Sequence, residues 1–292
     1  KNFLPRVSVT LEPSRDLTVY SSWSKGMNPG AFNASLSTAS QAVQDAAYEQ
    51  TGAQIGVKPE KLEQWELGLK GRLFGSLTYD VSAYYGTWTD QIIAVNAVVP
   101  AGGSGAQTQV QTFSANAGKT RLAGIESQID WRVTEKLSLN VGAAYNYSKI
   151  VDYVCVTCAV SITGNSDVSG NALPRVPSLN GSFGAQYTAD LAKPLMGGLF
   201  EQWYLRGDYV YQNRMYATEA NLAWTPDTHV VNLRAGLSSD DARFELYMLN
   251  ATNERTYTSI VRNVDVLRSN TNDILVGLRT GRQVGARIRY NF

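Results

Sequence analysis

Histidine occurs once in these 292 residues and cysteine only twice. That scarcity leaves little for metal chemistry. A zinc site built on Cys155 and Cys158 would need two further soft ligands, and the single histidine, His229, is far away in sequence. No stretch approaches the roughly 18 apolar residues that a membrane helix requires. A helical inner-membrane protein is therefore excluded, but a barrel is not, because its strands alternate. Neither sign of charge prevails, with 26 Lys and Arg against 25 Asp and Glu, so nothing points to nucleic acid or to an acidic partner. The chain opens at Lys1 without methionine or a signal peptide, from which a processed or truncated product is expected.

Tyrosine (16), tryptophan (6) and glycine (25), against nine prolines, suit a β protein with aromatic girdles. From Gly281 to the end, Val284, Ala286, Ile288, Tyr290 and Phe292 alternate with Gln283, Gly285, Arg287, Arg289 and Asn291. A period of two means a strand with two unlike faces. Two arginines on one face and a terminal aromatic fit a wall with lipid on one side and a polar lumen on the other. The cleanest alternation runs from Leu137 to Ser148. Leu137, Leu139, Val141, Ala143, Tyr145 and Tyr147 share one face, so Val141 and Ala143 are expected to meet lipid while Asn140 and Gly142 face the lumen.

Similar strands are expected over Arg6–Glu12, Leu17–Lys25, Lys61–Leu73, Leu77–Tyr85, Leu122–Val133, Leu179–Tyr187, Trp203–Tyr211, Val231–Leu237 and Phe244–Tyr257. Gly26–Val57, the uncharged span Gln91–Gly118, and Thr258–Leu275 read as loops. Very short turns (Pro13–Asp16, Phe74–Ser76, Thr134–Lys136, Asp240–Asp241) alternate with long polar connections, and Lys193–Phe200 makes a somewhat longer turn. The strands commonly exceed the five or six residues usual in soluble sheets and match a tilted membrane strand of about nine to eleven. The fold class is therefore all-β: a transmembrane antiparallel β-barrel in one domain, in the bacterial outer membrane and in contact with its lipid and lipopolysaccharide.

Three stretches resemble one family. Pro59-Glu60-Lys61-Leu62-Glu63-Gln64-Trp65-Glu66-Leu67-Gly68-Leu69-Lys70-Gly71 is similar to a P-E-x-x-x-x-x-E-x-G-x-K segment of the TonB-dependent outer-membrane receptors. Leu122-Ala123-Gly124-Ile125-Glu126 is similar to their G-x-E strand. Asn250 to Tyr257 (N-A-T-N-E-R-T-Y) is similar to their N-x-x-N-x-x-Y motif. The terminal strand also resembles the assembly signal of bacterial outer-membrane proteins, which implies the barrel-assembly machinery as a partner. The resemblance implies that residues 1–292 are about eleven C-terminal strands of a 22-stranded barrel, with the plug domain and first strands lying outside this sequence. It implies active import of a scarce solute, a siderophore, cobalamin or oligosaccharide, with energy delivered through TonB. A passive porin or structural envelope barrel is the alternative.

No catalytic, cofactor or metal residue is expected. His229 beside the many serines could suggest a hydrolase, but its place at a strand start after Trp224-Thr225-Pro226-Asp227 suits a membrane interface better. Glu63 and Glu66 sit three apart on one strand, so they point to opposite faces and cannot converge without a bulge. Glu66 with Lys70, and Glu126 with Asp130, share faces and are assigned to the lumen wall. Cys155 and Cys158 read as a loop-tightening disulfide, which suits an oxidising compartment; free thiols and redox or metal chemistry are the alternatives. Ligand contact falls on polar and aromatic residues at strand tops and in long loops: Tyr48, Gln107, Arg214, Tyr216, Trp224 and Arg262. An odd strand count leads us to expect that the strand at Arg6 and the strand at Phe292 do not pair with each other.

Overall fold

The computed structural model describes residues 3–101, 107–155, 158–159, 162–265 and 271–291. The terminal Phe292 lies outside the described residues. Among the described residues there are thirteen strands: β1 Arg6–Ser14, β2 Leu17–Asn28, β3 Glu60–Leu73, β4 Leu77–Pro100, β5 Thr108–Arg132, β6 Leu137–Tyr153, β7 Leu179–Leu195, β8 Phe200–Gln212, β9 Thr228–Ser238, β10 Ala242–Leu249, β11 Tyr257–Asp265, β12 Thr271–Leu278 and β13 Gln283–Tyr290. Eleven form one antiparallel sheet in the order β1-β2-β3-β4-β5-β6-β7-β8-β9-β10-β13, and β11 pairs with β12 in a separate two-stranded sheet. The sheet is open, with β1 at one edge and β13 at the other. No described helix is long and apolar enough to cross a membrane.

The two faces of the sheet differ in the way the alternation requires. On one face Trp65, Leu67, Leu69, Ile125, Tyr145, Leu205 and Leu246 stand exposed; Leu67 keeps 58% and Ile125 54% of its surface. Burying such side chains in lipid is favourable at about 25 cal/mol per Å², whereas in water they would form an aggregation-prone patch. Glu66, Asp80, Glu126 and Asn146 stand on the other face and line a polar recess. Trp23 opposes Trp65 in register, their ring centroids 6.0 Å apart.

One end of the sheet carries tight turns and the other carries long excursions, as expected. Phe74 and Gly75 take left-handed φ values of 54° and 69° to turn β3 into β4. Three expectations are corrected at the opposite end. The stretch Gly26–Val57 is not simply a loop: it extends β2 to Asn28 and then folds into α1 Ala34–Ser37 and α2 Gln41–Thr51. Helix α2 buries Val43, Ala47 and Thr51 at helical spacing, and Gly52 ends it at φ 73°. The span Gln91–Gly118 is the upper part of the β4–β5 hairpin, paired from Gln91 to Pro100 against Thr108 to Gly118. Its inward residues Val95, Ala97, Val99, Phe113 and Ala115 are buried with Leu36, Val43 and Ala47 of the helices. Local composition did not reveal this because the cover comes from a segment some fifty residues away in sequence.

The third correction concerns the C-terminal end. The expected strand Phe244–Tyr257 stops at Leu249, and the expected loop after it holds the β11–β12 hairpin. Asn250 and Asn253 adopt left-handed φ values of 50° and 57°. They break the strand there and redirect the chain, a conformation that asparagine tolerates better than most residues. The turn at Lys193–Phe200 is shorter than expected, since β7 runs to Leu195.

Candidate functional site

The long excursions fold into packed units rather than free loops. Between β6 and β7, Cys155 and Cys158 form a disulfide and are buried with Ile150, Val168 and Ala220. Ala220 belongs to the β8–β9 connection, so two excursions share one small core. Backbone and amide contacts stitch them together: Arg175 N–H donates to the Tyr216 carbonyl at 2.9 Å. Asn171 donates to the Glu219 carbonyl at 2.8 Å, and Asn221 donates to the Ala172 carbonyl at 3.0 Å. In the same unit the Asp167 carboxyl is held below its ordinary range, chiefly by the hydrogen bond it accepts from the Ser169 backbone N–H.

On this framework three of the six expected ligand-contact residues meet. Tyr216 and Trp224 form an antiparallel bridge, with their rings edge-on at 6.4 Å. The Arg214 guanidinium lies 5.4 Å from the Trp224 ring centroid and 5.9 Å from that of Tyr216. Buried Thr225 pins the segment by accepting from Met215 N–H at 3.0 Å, and Asp227 accepts from Arg214 N–H at 2.8 Å. Trp224 remains 48% exposed. A guanidinium set beside two aromatic rings can still offer its N–H donors to a carboxylate or other anionic oxygen. Tyr48 stands elsewhere, exposed on α2. Gln107 lies near the tip of the β4–β5 hairpin, where its carbonyl accepts from Ala101 N–H. Arg262 lies on β11, opposite Ile274.

Below this assembly the polar face divides by charge. Around β2–β5 it is acidic: Tyr20 donates to Glu66 at 2.8 Å, and Asp80, Glu126 and Asp130 share the recess. Across β8–β10 and β13 it is basic, with Arg206, Arg234, Arg243, Arg287 and Arg289 lining a cavity of about 360 Å³. Arg206 and Arg234 both engage Asp208, and Arg206 also donates to Asn140 at 3.1 Å. Nearly buried Glu245 accepts from Tyr204 at 2.9 Å and from Arg243 at 3.5 Å. Sequence reasoning placed Arg206, Asp208, Arg287 and Arg289 on polar faces but had no means of bringing four strands together.

The remaining carboxylate and histidine readings resolve by face. Glu63 sits with Lys25 (3.4 Å) and accepts from Trp23 Nε1 (2.9 Å) on the apolar face, opposite in facing to Glu66. His229 lies against Tyr209 (2.8 Å from its hydroxyl) and Tyr211 on the apolar face. Among the described residues no cluster of His, Cys, Asp or Glu could hold a metal.

An open antiparallel wall with an apolar outer face, a charged inner face, short turns at one end and folded excursions at the other defines an outer-membrane β-barrel protein. The family model described as TonB dependent receptor-like, beta-barrel matches residues 1–253, and the chain belongs to that family. Its members are transport receptors of the outer membrane. The probable TonB-dependent siderophore receptor PiuA of Acinetobacter baumannii is 21% identical over 224 residues, covering 76% of this chain and 26% of its own length. The ferric yersiniabactin uptake receptor FyuA of Yersinia pestis superposes with a TM-score of 0.69 at 15% identity, over 99% of this chain and 37% of that one. The ferric preacinetobactin receptor BauA of Acinetobacter baumannii does so with a TM-score of 0.64 at 18% identity, over 99% and 36%. This chain thus spans about a quarter of the curated relative and little more than a third of these solved structures.

Proposed function

We propose that this chain forms the C-terminal part of the wall of a receptor that imports a scarce, anionic chelate across the outer membrane, energised through TonB. The observation that carries the reading is the Arg214–Tyr216–Trp224 assembly, pinned by Thr225 and Asp227 at the loop end of the sheet. An exposed tryptophan and a half-buried tyrosine beside a cation suit a ligand that is both planar and negatively charged, as many metal chelates are. The relatives agree, since they include a probable siderophore receptor, a ferric yersiniabactin uptake receptor and a ferric preacinetobactin receptor. The open edges at β1 and β13 support a larger barrel, closed by strands of the same polypeptide. The surrounding lipid, the barrel-assembly machinery and TonB are its partners, and it catalyses no reaction.

Uptake by cells carrying the full-length protein tests this. Arg214→Ala and Trp224→Ala should each weaken binding of the transported chelate by about three- to thirtyfold, the scale of one cation–π contact. Collapsing the inner-membrane proton gradient should stop uptake without affecting binding. Uptake that persists after collapse would replace this reading with a passive porin.

A further inference from the structure

We infer that Arg121 and Lys149 form a binding site for a phosphorylated lipid headgroup of the outer leaflet. The inference goes beyond the import reading and rests only on the membrane placement of the sheet. Arg121 on β5 and Lys149 on β6 are directly opposed in register. Both are exposed and both continue the apolar face, because Lys149 follows Tyr145 and Tyr147 at spacing two. Side chains so opposed have Cβ atoms about 5 Å apart, and like charges there repel. Among the described residues neither cation makes an ion pair.

The carboxylates that strand register places on the same face do not neutralise the pair. Glu63, two strands away along the same row through Thr87, already holds Lys25 and Trp23. Asp152 lies one step further out, opposed to a third cation, Lys119. Along β5 and β6 the outward face therefore carries three cations to one carboxylate at this level, and an external anion supplies the missing counter-charge.

Depth identifies that anion. The apolar face of β6 runs from Leu137, at the tight-turn end, to Tyr147. Ten residues at about 3.4 Å each, tilted by about 40°, rise about 25 Å, the height of the apolar band of such a wall. Lys149 stands one step above it. In the same register Tyr85 and Tyr147 flank Ala123 directly beneath the cations, as an interfacial aromatic girdle does. Cations at that level face lipid phosphates, while Tyr85 and Tyr147 can lie along the first acyl carbons. A guanidinium and an ammonium together can hold one phosphate through charge-assisted hydrogen bonds.

The test uses the purified full-length protein in detergent, with diphosphorylated lipid A and its dephosphorylated form as probes in native mass spectrometry. The wild type should retain the phosphorylated lipid at least about tenfold better than the dephosphorylated one, and the Arg121→Gln/Lys149→Gln protein should lose that preference. Lys136→Gln, at the opposite end of the sheet, should keep it. Heat-modifiable gel mobility establishes that each variant is folded, and Lys149→Gln alone is read if the double variant is not. Equal retention of the two lipids by wild type, an unchanged preference in the folded variant, or equal displacement by millimolar inorganic phosphate would each overturn the assignment.

Discussion

Tyr20 lies over Gly68, its directly opposed partner on the neighbouring strand of the polar face. A Cβ at Gly68 would occupy the space of the tyrosine ring, so the glycine is a seat for it. The ring is fixed at its far end by the 2.8 Å hydrogen bond to Glu66 and has Lys70 5.9 Å from its centroid. The same directly opposed arrangement recurs at Tyr84 and Gly124, Tyr204 and Gly236, and Tyr247 and Gly285. Gly68→Val should therefore push the Tyr20 ring off its seat and break the bond to Glu66, costing about 1–3 kcal/mol. The same change made in Tyr20→Ala should cost much less. Urea unfolding of the full-length protein in a double-mutant cycle measures this, and purely additive costs would show that the ring and the glycine are independent.

Asn250 is a buried clasp at the end of β10. Its side chain accepts from Glu254 N–H at 2.7 Å, and donates to the carbonyls of Glu254 at 2.9 Å and Thr280 at 3.1 Å. Asn250→Ala leaves those groups unpaired and places alanine at a positive φ, and should cost about 2–4 kcal/mol. Asn250→Asp, which keeps the acceptor, should cost less. Urea unfolding ranks the two.

Glu254 gives this turn a pH dependence. Its carboxylate accepts from Thr256 and Arg255 N–H at 3.0 and 2.9 Å, and the Thr256 bond first of all holds its pKa below the ordinary carboxylate value. A group whose folded pKa is depressed stabilises the fold above its unfolded pKa of about 4.3. That contribution is lost as pH falls through the lower folded value. Hydrogen exchange of the segment 250–256 should therefore rise more steeply below pH 4 in the wild type than in Glu254→Gln, which carries no titrating charge; parallel profiles would contradict the assignment.

Ala143 and Ala144 are neighbours in sequence but stand on opposite faces of the wall. Ala143 shares the outward face with Tyr145 and Val141, whereas Ala144 is opposed to Glu126 on the polar face. Ala143→Arg should cost about 2–4 kcal/mol near the bilayer midplane, and Ala144→Arg, beside a carboxylate, about 1 kcal/mol or less. Refolding into liposomes followed by urea titration compares them, and equal costs would reverse the facing.

Much of this wall was legible because a membrane strand must satisfy a local rule: every second residue meets lipid. That rule fixes Leu137 to Tyr147, the opposite facing of Glu63 and Glu66, and the short turns, without reference to any distant segment. It failed at Gln91–Gly118, where Val95, Ala97 and Val99 look like ordinary loop residues until α2 covers them. It also failed after Leu249, where left-handed Asn250 and Asn253 end the strand through contacts with Glu254, Thr280 and Arg282. Among the ligand-contact candidates, residue type singled out Arg214, Tyr216 and Trp224, but it singled out Tyr48, Gln107 and Arg262 by the same criterion.

The sequence by itself determined the class of protein, the faces of its strands and the family motifs, since alternation and turn chemistry act over a few residues. Tertiary structure alone decided which loops pack together, which three candidates form one cluster, and that Arg121 and Lys149 stand opposed. Those outcomes depend on strand register and on contacts between segments dozens of residues apart, and no local pattern encodes them.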